Sequence, residues 1–458
     1  MIVMLFVGVS RGGADSTEAL DNWPAWRGPL VNGVAPHADP PVTWSTSENI
    51  KWKLDLPGQS NATPIIWADR VFVVTAVESE RTVDRLSAPT AEPPGGYRTK
   101  RPRHYYQFRV YCVDRQTGRI IWHRVAAERV PHEGHHGTNT YSSDSPITDG
   151  QRLYVTFGSH GLFCYDFEGN LIWKRDLGDM ITRFGWGEGA SPALHGDALA
   201  VNWDHEGSSE VHVLDALTGE TRWHAKRDEE TSWATPLIVT YKGRQQLILN
   251  ATRRVTSYDL DSGKIIWECG GQTTVLVSSP VVLDDMVICM SGYRGSAAYA
   301  IGLDSVGDIT GTDRVRWHYD RNTPYVPSAL LYGRRLYFPK ANQPVLSCLD
   351  ARTGKPLMDG IRLPELRDLY ASPLGAADRI YFVGRDGTTV VIKNQPKLEV
   401  LAVNRLDDPV DASPAAAGGE LFLRSRRRLY CIAVRDRTIG RASAGIARRR
   451  DGPPRGGP

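Results

Sequence analysis

One turn motif recurs along this chain at a nearly constant period, and that repetition limits the fold more than any other feature. CVDRQTGRIIW at 112–122 returns as CYDFEGNLIW at 164–173, VLDALTGETRW at 213–223 and SYDLDSGKIIW at 257–267. A further copy, CLDARTGKPLM at 348–358, carries Met358 in place of the tryptophan, and a stretched one, GLDSVGDITGTDRVRW, runs from 302 to 317. A second landmark is Ser or Thr followed by Pro at the head of an apolar run, with Pro at 64, 146, 192, 236, 280, 373 and 414. VPSALL puts Pro327 in the remaining gap, and successive spacings are then 82, 46, 44, 44, 47, 46 and 41. That makes eight units.

Each unit reads as four short runs. In the fifth, SPVVL is followed by MVICMS, AAYAIGLD and VRWHYD. β-rich runs separated by Gly, Asp and charged turns are the pattern of a four-stranded meander. Asp-x-x-Thr-Gly suits the turn between third and fourth strands, because Asp accepts backbone N–H bonds and Gly takes the positive φ that a Cβ resists. One such sheet cannot bury both faces, so the copies must stack. The expectation is an all-β fold, an eight-bladed β-propeller of four-stranded antiparallel blades.

The ends predict how the ring closes. The last unit offers ELFLRS and RLYCIAV but no fourth strand, while NIKWKLDL at 49–56 is a lone fourth strand ahead of the first ATPII. The N-terminal strand is expected to complete the last blade and so remove an open edge. The chain then divides into a truncated signal segment at 1–14, an N-terminal extension at 15–48, the propeller at 49–434 and a disordered basic tail at 435–458.

The repeat, Ala/Cys-x-Asp-x-x-Thr-Gly-x-x-x-Trp around eight units, resembles the tryptophan-docking repeat of the PQQ-type propellers. The match covers roughly residues 49–434. In that family the indole packs between neighbouring blades, which implies this role for Trp52, Trp122, Trp173, Trp223, Trp267 and Trp317. The family holds quinone-dependent alcohol and sugar dehydrogenases as well as non-enzymatic BamB-like outer-membrane assembly lipoproteins. WPAWRGP at 23–29 and GWGEGASP at 185–192 look like exported PQQ-like propellers of unassigned function. The cysteines follow the repeat: Cys112, Cys164, Cys348 and Cys431 hold one equivalent position where the family usually has Ala. A small buried role explains that better than disulfides or metal binding, and all six cysteines are expected to be free thiols.

The formal charge of +3 is a property of the tail, where residues 435–458 hold seven Arg against two Asp. A nucleic-acid-binding body is therefore not expected. No apolar run reaches the roughly 18 residues of a membrane-spanning helix. Residues 2–9 are apolar and small residues end at Ala14, the shape of a secretory signal without its basic start, so export to the periplasm or cell surface is expected, with a cytoplasmic location if the segment is not a signal.

In a meander, loops joining strands two and three emerge on the same end as loops leading to the next blade. RVPHEGHHGTNTYSSDSP at 129–146 is a loop of the second kind, carrying His132, Glu133, His135 and His136. The insertion at 78–106 and NWDHEGSS, with Asp204, His205 and Glu206, are loops of the first kind. All three are predicted to share one rim. Arg183, Trp186, Glu188, Trp233, Arg253, Arg254, Arg294, Lys340, Asn342, Arg385 and Asp386 belong to the same end. Loops on a rigid scaffold commonly carry function, so a protein or small-molecule partner is expected at the rim of blades one to three, on a monomer. A metal site is not expected: the loop lacks the helical spacing of zinc proteases, although His205 and Glu206 are the residues that would complete one. No nucleophile elbow, phosphate loop or adjacent cysteine pair is present. The favoured function is a non-catalytic, exported binding or assembly scaffold without cofactor. The alternative that the resemblance implies is an oxidoreductase using PQQ and Ca²⁺, with Asp204, Glu188 and Asn342 as oxygen donors.

Overall fold

Eight sheets, each with a four-stranded antiparallel core, hold the strands of the computed structural model, which describes residues 16–86 and 91–434. The expected signal segment and basic tail lie outside the described residues. The sheets form the eight-bladed ring that the repeat predicts. In the first blade, Ile65–Trp67, Arg70–Thr82, His104–Asp114 and Ile120–Arg129 follow one another as a meander. First strands line the axis and fourth strands face outward: Ile65 and Ile66 are fully buried, whereas Ile120 and Ile121 are 42% and 47% exposed. The 78–106 insertion carries the second strand to Thr82 and begins the third at His104, and its described residues between these ends form no strand.

Closure is by the N-terminal strand. Ile50–Asp55 pairs antiparallel with Arg428–Ala433, with Trp52 opposite Cys431 and Asp55 opposite Arg428. The third strand of the last blade thereby gains its missing neighbour.

The Ser/Thr–Pro landmark has a structural reason. The backbone N–H of Thr63 donates to the Ser145 hydroxyl, Ser145 N–H to Ser191, and Thr235 N–H to Ser279. Ser279 N–H then donates to Ser328, Ser328 N–H to Ser372 and Ser372 N–H to Ser413, each of these six bonds at 2.9 Å. Thr63 Oγ1 closes the belt onto the Ser413 carbonyl at 3.1 Å. The hydroxyls satisfy buried donors from blade to blade, and the following Pro has no N–H left to satisfy. This corrects the alignment of the sixth unit. Ser328 sits in the belt and Ala329 takes the place of Pro, so Pro327 lies two residues early.

Five strand-four indoles reach the next blade. Trp52, Trp122, Trp173, Trp223 and Trp317 donate from Nε1 to the carbonyls of Arg115, Phe167, Ala216, Leu260 and Ala351, at 2.7 to 3.0 Å. Each ring lies on the glycine of that turn, so close that a Cβ on Gly118, Gly169, Gly219, Gly263 or Gly354 would come within 2.6 to 2.7 Å of it. Trp267 differs. It bonds to Gln246 Oε1 of its own blade. Its neighbour is the stretched unit, whose long turn contributes Gly307–Asp308 as an extra parallel strand beside Trp267 and Glu268. All six cysteines are free and buried.

The extension ahead of the latch packs against the first strands that line the axis. Trp23 exchanges backbone bonds with Ile66, Thr148 N–H donates to Pro24, and Val34–Ala35 joins Leu374–Ala376 in parallel. Arg27, 3% exposed, donates to the carbonyls of Pro373 and Ala329. Its guanidinium meets carbonyls and no carboxylate, and burial lowers its pKa to about 9. Tight turns permit this packing: Gly33 holds a φ of +89°, and a Cβ there would fall 2.2 Å from the Arg27 guanidinium.

Candidate functional site

Strand parity predicts one decorated end, and the loops there are locked to one another. Arg98 N–H and Thr99 Oγ1 from the blade-one insertion donate to the carbonyls of Phe184 and Gly185. His136 N–H donates to Trp186 O, and Thr182 donates to Glu133 through both N–H and Oγ1. Glu206 N–H donates to Ile181 O, and the Glu206 carboxylate accepts from Thr231. The insertion, the HEGHH loop, residues 176–192 and the DHEG turn thus form one interlocked cap over blades one to three.

Much of this cap's chemistry points inward. Glu133 is 3% exposed, and Asp144 and His160 are buried beside it. Together with His132, Tyr141 and Glu188 they line a water-sized cavity. Desolvation raises the Glu133 carboxyl to about 7 and Asp144 to about 8, and Glu188 well above its ordinary range. The same burial pushes His132 and His205 down, and His160 well down. Asp144 Oδ1 and His132 Nδ1 have no hydrogen-bond partner.

His132, Glu133 and Glu188 bring possible ligand atoms within 4.8 Å of one another. The nitrogen nearest Glu188, His132 Nε2 at 3.9 Å, bonds to the Met180 carbonyl at 2.7 Å, so it presents its hydrogen there. Glu188 accepts from Ser159 N–H at 2.7 Å and from its hydroxyl at 2.5 Å. His205 and Glu206 do not complete this group: His205 Nδ1 accepts from Ile181 and Gly207, and Glu206 holds Thr231. The cluster works as a set of loop rivets.

A pH dependence follows from these acids. Carboxyls whose folded pKa lies above the unfolded value contribute stability that is complete below about pH 4 and lost as pH rises through about 7 to 8. Asp144→Asn removes that loss. Its melting temperature relative to the parent is expected to rise by several degrees between pH 5 and pH 8.5, read by differential scanning fluorimetry. A constant difference across that range would show that Asp144 is ionised throughout.

The larger opening lies on the axis. Trp26 of the N-terminal extension, His136, Trp186, Trp233, Tyr293, Tyr325 and Tyr370 surround a cavity of about 370 Å³. Trp186 stands 6.5 Å from Trp233 and 6.4 Å from Tyr293, and Tyr293 stands 4.8 Å from Tyr325, ring centre to ring centre. Asn61, Thr138, Asn139 and belt residues Ser191, Thr235, Ser372 and Ser413 supply neutral polar groups. Glu188 and Asp411 are its acidic lining residues. Arg385 is held by Asp411 at 2.5 Å and Asp368 at 3.2 Å, and its guanidinium sits 4.2 Å over the Tyr370 ring.

His136, Trp186, Glu188 and Trp233 are thus brought together here. Asp204 is elsewhere, paired to Arg227 at 2.7 Å with both side chains buried. Arg183 pairs with Glu230, and Arg254 with Asp308 and Glu268 on the outer edge. Arg253 reaches Asp228, and Asn342 accepts from Val326 N–H. His135 packs edge-on against Tyr141, while Arg294 lies over Tyr293 and Lys340 is exposed at the surface. Sequence reasoning missed Trp26, Tyr293, Tyr325, Tyr370 and Asp411. The last three lie two or three residues ahead of belt serines, a position that points at the axis in every blade.

A family profile described as outer membrane protein assembly factor BamB matches residues 107–357 and 207–442. The chain belongs to this family. Among solved structures, the quinohemoprotein alcohol dehydrogenase of Comamonas testosteroni is similar at 10% identity and a TM-score of 0.59, covering 91% of this chain and 81% of that one. A quinohemoprotein alcohol dehydrogenase of Pseudomonas putida HK5 is similar at 10% identity and a TM-score of 0.57, covering 98% and 85%. BamB of Moraxella catarrhalis gives 13% identity and a TM-score of 0.34, covering 71% and 78%. At such identities the likeness concerns the fold. No curated protein sequence matches this chain. Among the described residues of this BamB-family chain, no helix is long and apolar enough to cross a membrane.

Proposed function

We propose that this BamB-family propeller is a non-catalytic binding protein whose ligand enters the axial funnel of the decorated end. The observation that carries the reading is the funnel lining: a wall of aromatic rings, Trp26 of the extension among them, with neutral hydrogen-bonding groups. A concave, mostly apolar pocket with a few polar groups is the usual form of a small-molecule site. The expected rim residues of blades one to three frame it, and their mutual bonds keep the loops fixed before a ligand arrives. The six strand-four indoles are proposed as the blade-to-blade docking residues of the repeat. Export, a monomeric state and the role of the segment at 1–14 belong to the same proposal.

The quinone-dependent alternative meets an obstacle in the lining. A planar tricarboxylate needs cationic partners, and neither Lys nor Arg is among the lining residues. The nearby Arg385 is bound to Asp411 and Asp368. The cysteines are buried in strands and none lines the funnel. Of the three oxygen donors expected for Ca²⁺, Glu188 alone lines the cavity, with Asp204 tied to Arg227 and Asn342 to Val326. The residues do not fit the cofactor.

The test adds PQQ and Ca²⁺ to purified protein and records the visible spectrum and dye-linked alcohol oxidation. The expected result is no saturable band and no dye reduction. A stoichiometric band with turnover would replace the binding reading with the oxidoreductase one.

A further inference from the structure

Charge distribution around the funnel narrows the class of ligand. Six aromatic rings present π faces and edges to one enclosed space, and π faces carry negative potential. Glu188 and Asp411 reach the same space, Asp411 being paired with Arg385 and Arg426, and the lining itself holds no Lys or Arg. Directly behind the wall, Glu133 and Asp144 share a small cavity with Glu188. Burial holds these three carboxyls above their ordinary range, so they act as buried polar groups with little charge, and Asp144, 4% exposed, has an oxygen without a partner. Three guanidiniums lie over lining rings: Arg27 is 5.8 Å from Trp26, Arg294 5.3 Å from Tyr293, and Arg385, paired with Asp411 and Asp368, 4.2 Å from Tyr370.

We propose that the axial funnel is an aromatic cage for a small organic cation, an alkylammonium or quaternary ammonium head. This rests on the binding reading above and names its ligand class. Rings in such a cage attract a cation through their quadrupoles, most strongly where water is excluded, and Trp26 of the extension adds its ring to the lining. The Tyr293 and Tyr325 hydroxyls have no protein partner among the described residues, so they are free to bond a polar group trailing from the head. A neutral sugar would use the same rings and hydroxyls but would gain nothing from the ring quadrupoles that attract a cation.

The experiment compares choline and tetramethylammonium with 3,3-dimethylbutan-1-ol, a neutral shape match of choline, and with maltose. Calorimetry and tryptophan fluorescence read the binding to the full chain. Choline is expected to saturate one site per chain, with the neutral alcohol weaker by at least about tenfold. Trp186→Ala should lose about tenfold in affinity and Trp186→Phe should recover most of it. Tyr325→Leu gives a second reading if Trp186→Ala is poorly folded, and His224→Ala on an outer strand should bind as the parent does. Equal binding of choline and its neutral match, or saturation by maltose alone, would overturn the cationic ligand while leaving a binding funnel. Failure of every probe to bind would overturn the cage, and a PQQ band with turnover in the preceding test would overturn the binding reading itself.

Discussion

Deleting residues 1–57 is expected to make the protein aggregate, or to lower its melting temperature by more than about 10 °C. Two losses add. Without Ile50–Asp55, the strand Arg428–Ala433 presents an unpaired edge, the usual nucleus for edge-to-edge association. The deletion also removes Trp23, Trp44 and Trp52, all buried, together with the Arg27 bonds to Ala329 and Pro373. Size-exclusion chromatography and thermal melting read both effects. A truncated chain as monomeric and heat-stable as the parent would mean that the last blade closes without its latch.

Trp173→Ala is expected to cost roughly 3–5 kcal/mol, measured by chemical denaturation. The indole is 9% exposed, its N–H donates to Ala216 O at 2.9 Å, and its ring rests on Gly219 of the next blade. Alanine gives up the aromatic burial, leaves the carbonyl unpaired and opens a gap between two blades. Trp173→Phe separates these contributions, since it keeps a ring and loses the bond, and should cost about 1 kcal/mol beyond the change in ring size. Gly219→Ala attacks the same contact from the other side. Its Cβ would lie 2.7 Å from the ring at a φ of +75°, so it too is expected to destabilise. A neutral Trp173→Ala would refute any docking role for the indole.

The period of the repeat was enough to determine the number of blades, their strand count and the latch. Those features rest on local patterns: apolar runs of strand length, Asp and Gly at fixed turn positions, and a missing strand at one end matched by a spare one at the other. Parity of the meander also placed the insertion, the HEGHH loop and the DHEG turn on one end, because loop direction follows from strand order alone. The one slip within the repeat, at Pro327, came from aligning on a proline when the belt hydroxyl of Ser328 is what the neighbouring blade requires.

Tertiary structure decided what the end of the ring contains. Loop side chains have no period, so nothing in the sequence told whether Glu133 faces solvent or Thr182, and it faces Thr182. Asp204 reads as a rim residue in sequence but is consumed by Arg227, 23 positions along the chain, whose guanidinium offsets the desolvation of the buried carboxylate. The funnel draws Trp26, Trp186, Tyr293, Tyr325 and Tyr370 from the N-terminal extension and four separate loops. Only closure of the ring brings them together, since a blade fixes its own strands by local pairing while the axis is shared by all eight.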